Sequence, residues 1–171
     1  MTCSKSVLPR NFYTHDTHTV ARELLAKHLV RCIGDAELVG MIIEVEAYGG
    51  GDDPASHAYK GVTPRNRLMF GEGGFAYVYF TCGIHHCFNV TTQKQGVAGA
   101  VLIRALEPIN GIEMMRRNRR MTRLHDLANG PGKLTEAMGM TKRQKKNSRS
   151  TNQGEATHHF QPTSPKISTA N

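Results

Sequence analysis

Hydrophobic and polar positions alternate with two different periods along this 171-residue chain. Near the start, Val20, Ala21, Leu24 and Leu25 fall on one face of a helix, with Thr17 or Thr19 available as its cap. Val30 to Ile33 reads as a short strand ending at the Gly34-Asp35 turn. Leu38 to Tyr48 is apolar and β-branched, as a buried strand requires, yet it carries Glu44 and Glu46. Residues two apart on a strand share a face, so these carboxylates are expected side by side. Residues 49–74 are rich in Gly, Pro, Asp and Arg and predict a long functional loop. Phe75 to Thr81 and His86 to Thr92 read as strands joined through Gly83, and Ala100 to Leu106 as a further strand interrupted by Arg104. Pro108 is expected to open a helix containing Ile112 and Met115, whose surface carries the basic run at 116–123. A Gly-Pro turn at 130–131 then leads into a short helix.

Outside these elements the pattern fades. Residues 1–16 read as a flexible arm, and residues 141–171 as a basic, polar tail that buries too little apolar area to offset its ordering entropy. The periodic region, 17–140, is long enough for one domain with a sizeable core. The expected class is α+β: a single domain with a curved, mainly antiparallel sheet and flanking helices. No segment reaches membrane-span length, and the N-terminus lacks the apolar core of a signal peptide. The four cysteines, Cys3, Cys32, Cys82 and Cys87, are few and unevenly spaced, which argues against a secreted disulfide framework. The expected location is intracellular: cytoplasm or nucleoid in a bacterium, nucleus in a eukaryote.

Charge narrows the choice of partner. The formal net charge is +8. An excess of Lys and Arg favours a polyanion, because these residues displace counterions from phosphates, although it also serves solubility alone.

Each cluster of reactive side chains has a functional and a structural reading. Glu44 and Glu46 are either general-base candidates in an apolar strand or members of a solvated sheet face paired with Arg or Lys. Tyr48, His57, Tyr77 and Tyr79 are either stacking faces for an extruded base or ordinary tyrosines with satisfied hydroxyls. Arg104 is a salt-bridge partner for a Glu, an organiser of phosphate and water, or both. Arg65 and Arg67, in TPRNR, suit phosphate contact or a solvated loop. The NGPGK turn, containing Lys133, offers backbone N–H groups to an anion but lacks P-loop spacing. Cys82, His85, His86 and Cys87 make a C-x-x-H-H-C run, and a basic metal-binding protein is one rival reading. On a strand-turn-strand, however, these side chains would not converge on one tetrahedral site.

Seven ordered motifs then carry a resemblance: EVEAY (44–48), DPASHAY (53–59), TPRNRLMF (63–70), AYVYFTCG (76–83), CFNV (87–90), AVLIRALEP (100–108) and LANGPGKL (127–134). Together they resemble the alkyladenine (3-methyladenine, methylpurine) DNA glycosylases over roughly residues 17–140. The resemblance implies a monofunctional enzyme of base excision repair that flips alkylated purines from double-stranded DNA and hydrolyses the N-glycosidic bond. Glu46 would activate the water. Arg104 would position that water and the flipped nucleotide's phosphate. Tyr48, His57 and Tyr79 would sandwich the base, with main chain near His57 reading its edge. Asn89 would disfavour the 2-amino group of guanine, and Arg65, Arg67, Cys82 and Lys133 would face the DNA. The resemblance further implies a monomer without a metal or organic cofactor. No lysine lies within the pocket motifs to form a Schiff base.

Two departures stand out. Cys82 occupies the place of the family's intercalating tyrosine, and the family's late strands are not recognisable after Met140. They motivate an alternative: a weakened or inactive DNA-binding remnant of the family.

Overall fold

The computed structural model describes residues 7–81, 83–140 and 166–168. Cys82 and the basic tail up to residue 165 lie outside the described residues. Among the described residues, six strands form one sheet in the order β3-β4-β5-β2-β1-β6, with every neighbouring pair antiparallel. In chain order they are β1 (His28–Ile33), β2 (Ala36–Tyr48), β3 (Ala76–Thr81), β4 (His85–Thr91), β5 (Ala100–Asn110) and β6 (Lys166–Ser168). Helices α1 (Thr17–Leu24), α2 (Ile112–Arg119) and α3 (Pro131–Ala137) accompany the sheet, giving the expected single α+β domain. No helix among the described residues is long and apolar enough to cross a membrane.

Local chemistry places the helix ends. Asp16, rather than Thr17 or Thr19, caps α1: its Oδ2 accepts a hydrogen bond from the Thr19 N–H at 3.0 Å. Thr17, Val20, Ala21 and Leu24 are buried. Leu25 has already left the helix in an extended conformation and stays exposed, so it does not join their face.

β5 runs four residues beyond the expected strand, to Asn110. Pro108 sits inside it opposite Gly40, where the register with β2 shifts between Val39 and Gly40. A bulge removes the need for a ladder N–H at that point, which is how a strand tolerates proline. The helix therefore begins only after Gly111, whose φ of 73° turns the chain.

Two apolar clusters hold the domain. The larger joins α1, α2 and α3 to the sheet through residues such as Leu24, Leu29, Ile42, Phe88, Ile103 and Leu134. The smaller, Ala58, Met69, Tyr77, Ala98 and Ala100, lies beneath the loop after β2. It positions the site, because Tyr48 and Tyr79 pack against it.

The described residues of both end segments take part in the fold. Residues Arg10–Thr14 form a 3-10 turn that buries Tyr13. Residues 166–168 pair with β1, and the Leu8 N–H donates to the Ile167 carbonyl at 3.2 Å. Ile167 is fully buried in the larger cluster. A single apolar residue flanked by polar neighbours shows no periodicity, so only the β1 edge that receives it reveals its role. Ile167→Ala is expected to cost about 2–4 kcal/mol through lost burial and a residual cavity. Urea denaturation at unchanged slope measures that loss, and a midpoint equal to wild type would remove Ile167 from the core.

Candidate active site

β2 and β5 deliver the charged half of the site. Their register shifts between Ile42 and Glu44 and again between Glu44 and Val45. Such a bulge re-aims side chains while keeping the flanking ladder intact. As a result Glu44, Glu46 and Arg104 meet on one face. Arg104 Nη1 donates to Glu46 Oε1 at 2.7 Å, and its Nε donates to Glu44 Oε1 at 3.0 Å. The Tyr48 hydroxyl donates to the other Glu46 oxygen, Oε2, at 2.6 Å.

The Glu46 side chain remains 38% exposed, so the deep burial considered for it from its apolar strand is not what the fold provides. The carboxylate is instead fixed at both oxygens by donors. Glu46 is thus paired with an arginine, as one of its two sequence readings has it, and is tied through the Tyr48 hydroxyl to a residue that lines the neighbouring pocket. Burial disfavours the Arg104 charge, but Glu46 and Glu44 beside it outweigh that effect and push its pKa up. The hydrogen bond to Glu46, then burial, pushes the Tyr48 phenol up to about 12, so it stays protonated and a donor at neutral pH.

The aromatic half comes from the loop after β2 and from β3. A pocket with about 300 Å³ of empty space is lined by Tyr48, Ala55, His57, Met69, Tyr77, Tyr79, Asn89 and Ala100. Four of its lining side chains, Tyr48, His57, Tyr77 and Tyr79, are aromatic rings that offer faces for stacking. His57 meets the Tyr79 ring edge-on at 4.6 Å, and its Nδ1 lies 3.2 Å from the Tyr77 hydroxyl. Tyr77 and Tyr79 are tilted against each other at 5.3 Å. Burial raises the pKa of both phenols. Asn89 is buried on β4, and its amide donates to the Tyr77 carbonyl at 3.2 Å.

Burial, and then the Arg65 charge, hold the His57 pKa below its ordinary 6.5. Neutral imidazole is therefore the native form. As pH falls through 6.5 the unfolded chain takes up this proton first. The His57 contribution to stability is thus complete above 6.5 and declines below it. Wild type should lose more of its urea midpoint between pH 7.5 and pH 5 than His57→Gln does; equal losses would contradict the lowered pKa.

Three polar residues not among the sequence-derived candidates build the loop. The Asp53 carboxylate accepts from the Gly49 N–H at 2.9 Å and from the Ala55 N–H at 3.0 Å. The Ser56 hydroxyl donates to the Gly49 carbonyl at 2.6 Å and accepts from the Ala58 N–H at 3.1 Å. Buried Asn66 donates to the carbonyls of His57 and Gly61 at 2.7 and 2.9 Å, and accepts from the Thr63 N–H at 2.6 Å. The signal for them was present: Asp-Pro-Ala-Ser and Thr-Pro-Arg-Asn are turn sequences in which short polar side chains bond to nearby backbone.

The remaining candidates scatter. Arg65 is exposed, with its guanidinium carbon 5.3 Å from the Tyr79 ring centroid. Arg67 is exposed at the start of a 3-10 turn, Arg67–Phe70, and does not line the pocket. Lys133 is exposed on α3, where its ammonium donates to Asn129 at 2.8 Å. Among the described residues, no group of three or more His, Cys, Asp or Glu is placed to hold a metal.

The family model described as methylpurine-DNA glycosylase matches residues 11–169. It therefore continues past Met140, where the family's late strands were not recognisable. A protein of Chlorobium phaeobacteroides is 53% identical over 135 residues, covering 78% of this chain and 68% of the relative. One from Koribacter versatilis is 50% identical over 137 residues, covering 79% and 66% respectively. One from Methanocella arvoryzae is 51% identical over 137 residues, covering 80% and 68%. All three bear the name "Putative 3-methyladenine DNA glycosylase". The chain spans about two thirds of the length of these relatives. With half of the aligned residues shared and a family match that runs from the first turn to the last strand, the chain belongs to the methylpurine-DNA glycosylase family.

Proposed function

We propose that this protein is a monofunctional DNA glycosylase that extracts alkylated purines such as 3-methyladenine from duplex DNA and hydrolyses their N-glycosidic bond. One observation carries the reading: a carboxylate fixed at both oxygens, by Arg104 and Tyr48, beside a pocket of Tyr and His rings. A base taken out of the stack needs aromatic faces and edge contacts, and a cationic alkylated base gains further attraction from electron-rich rings.

Glu46 acts as the general base. It takes a proton from water as the water oxygen bonds to the sugar C1′ and the C1′–N bond breaks with its electron pair going to the base. Arg104 orients the carboxylate and reaches toward the flipped nucleotide. Tyr48, His57 and Tyr79 hold the base, and Asn89 on the pocket wall disfavours a 2-amino group. Alkylation makes the base a good leaving group, so one carboxylate suffices and no cofactor enters the scheme. Arg67, Cys82 and Lys133 face the DNA, and the protein acts as a monomer.

The test is release of free 3-methyladenine from methylated duplex DNA by folded wild-type protein. Release establishes the activity. Salt-sensitive DNA binding without release or lesion preference would replace this reading with that of a non-catalytic remnant, to which the Cys82 substitution points.

A further inference from the structure

Arg65 is exposed, yet its guanidinium does not extend freely into solvent. It lies over the Tyr79 ring at 5.3 Å, on a ring that His57 already meets at 4.6 Å and Tyr77 at 5.3 Å. The turn that presents it is fixed by the next residue, Asn66, whose amide holds the His57 and Gly61 carbonyls. One buried side chain thus sets the positions of both His57 and Arg65. The Arg65 charge is felt within the pocket: with burial it lowers the His57 pKa, and it partly offsets the burial that raises that of Tyr77. A guanidinium stacked on a pocket ring is poorly placed to follow a phosphate backbone.

We propose that Arg65 is a rate-enhancing residue whose charge draws electrons into the departing base, rather than a phosphate contact. The inference rests on the glycosylase reading of the same pocket. In the cleavage step the C1′–N bond breaks with its electron pair moving to the purine, water adds to C1′, and the water's proton passes to Glu46. The charge on the base falls by one unit whatever its starting value. A cationic alkylated purine leaves neutral. A neutral lesion such as hypoxanthine leaves as an anion that solvent then protonates. A fixed cation beside the pocket favours both changes. It repels the bound cationic base and is relieved of that repulsion as the bond breaks. Toward a neutral base it is indifferent at first and attractive as negative charge develops. At separations of this order near a protein surface, the effect on the cleavage step is on the order of fivefold to tenfold.

Single-turnover cleavage and lesion affinity, measured at one salt concentration on duplexes carrying 7-methylguanine or hypoxanthine, test this. Arg65→Gln should slow cleavage of both lesions by roughly fivefold to tenfold. It should also leave affinity for the 7-methylguanine duplex unchanged or tighter. Arg65→Lys, which keeps the charge, should remain within about threefold of wild type. In Arg65→Gln the His57 ring resonances should titrate at higher pH than in wild type or Arg65→Lys, a readout independent of catalysis. Equal weakening of affinity for both lesions and for undamaged duplex, with cleavage rates unchanged, would make Arg65 a phosphate contact and overturn the proposal alone. Absence of release by the wild-type chain would overturn the glycosylase reading and this proposal with it.

Discussion

Glu46→Gln is expected to lower base release by about 10²–10⁴-fold, the usual contribution of a general base, while the fold and affinity for lesion-bearing DNA persist. The geometry explains why so large an effect leaves the fold alone. Glu46 Oε1 accepts from Arg104 and Oε2 accepts from the Tyr48 hydroxyl. A glutamine can keep its carbonyl oxygen toward Arg104 and turn its amide toward the Tyr48 oxygen, which is able to accept. What disappears is the capacity to receive a proton from water. Arg104 retains Glu44 as a partner at 3.0 Å, so its position survives.

Glu44→Gln is the matching control. Glu44 is 56% exposed and its carboxylate meets only the Nε side of Arg104, away from Tyr48. Exposed ion pairs of this kind are worth little, and that variant should turn over within a few-fold of wild type. Equal turnover by wild type and Glu46→Gln would end the assignment of Glu46. Equal impairment by both glutamine variants would mean that the carboxylates act together as a strut for Arg104. Single-turnover release, fluorescence anisotropy with lesion-bearing duplex, and urea denaturation of all three proteins separate these outcomes.

The strands of this domain were legible in the sequence because β-branched residues fill them, and because the two acids of EVEAY survive in β2 at a spacing that places both beside Arg104. The pocket tyrosines and His57 were legible as residue types, and the family's motif order tied them together. Other features depended on long-range contacts that no local pattern encodes. Pro108 reads as a helix opener until Gly40 is seen opposite it across a bulge. Ile167 reads as part of a polar tail until β1 provides an edge and the larger core closes over it. Arg65 and Arg67 look equivalent in TPRNR, yet Asn66 between them is buried. The chain direction on either side of that clamp sends the Arg65 guanidinium over the Tyr79 ring, although neither arginine lines the pocket itself. A turn motif announces that a loop is ordered; it does not say which of its charges faces the site.

Asn66→Ala is expected to reduce turnover by at least tenfold, more than its effect on global stability would suggest. Removing the amide leaves the His57 and Gly61 carbonyls and the Thr63 N–H without their side-chain partner. Unsatisfied groups of this kind cost about 1–3 kcal/mol each when water cannot replace the lost bond. Here water can reach part of the loop, because Pro64, Arg65 and Tyr59 are exposed. The loop is anchored to the smaller cluster mainly through Ala58 and Met69. It can therefore open locally while the sheet and larger core stay folded, so the urea midpoint underreports the damage. His57 and Arg65 both ride on the freed segment. A displacement of about 1 Å at a positioning group is enough to cost on the order of 10²-fold in rate. Hydrogen exchange should show faster exchange at Asn66, Tyr59 and Gly61, whose N–H groups bond within the loop, and unchanged exchange in β2 and β5. Asn66→Asp separates the two halves of the clamp. Its carboxylate still accepts from the Thr63 N–H but cannot donate to the His57 carbonyl, and it places a negative charge against two carbonyl oxygens. It should therefore be at least as impaired as Asn66→Ala. Full turnover by Asn66→Asp would show that the Thr63 side of the turn alone positions His57, and turnover within twofold of wild type by Asn66→Ala would show that the aromatic pocket holds His57 without the loop.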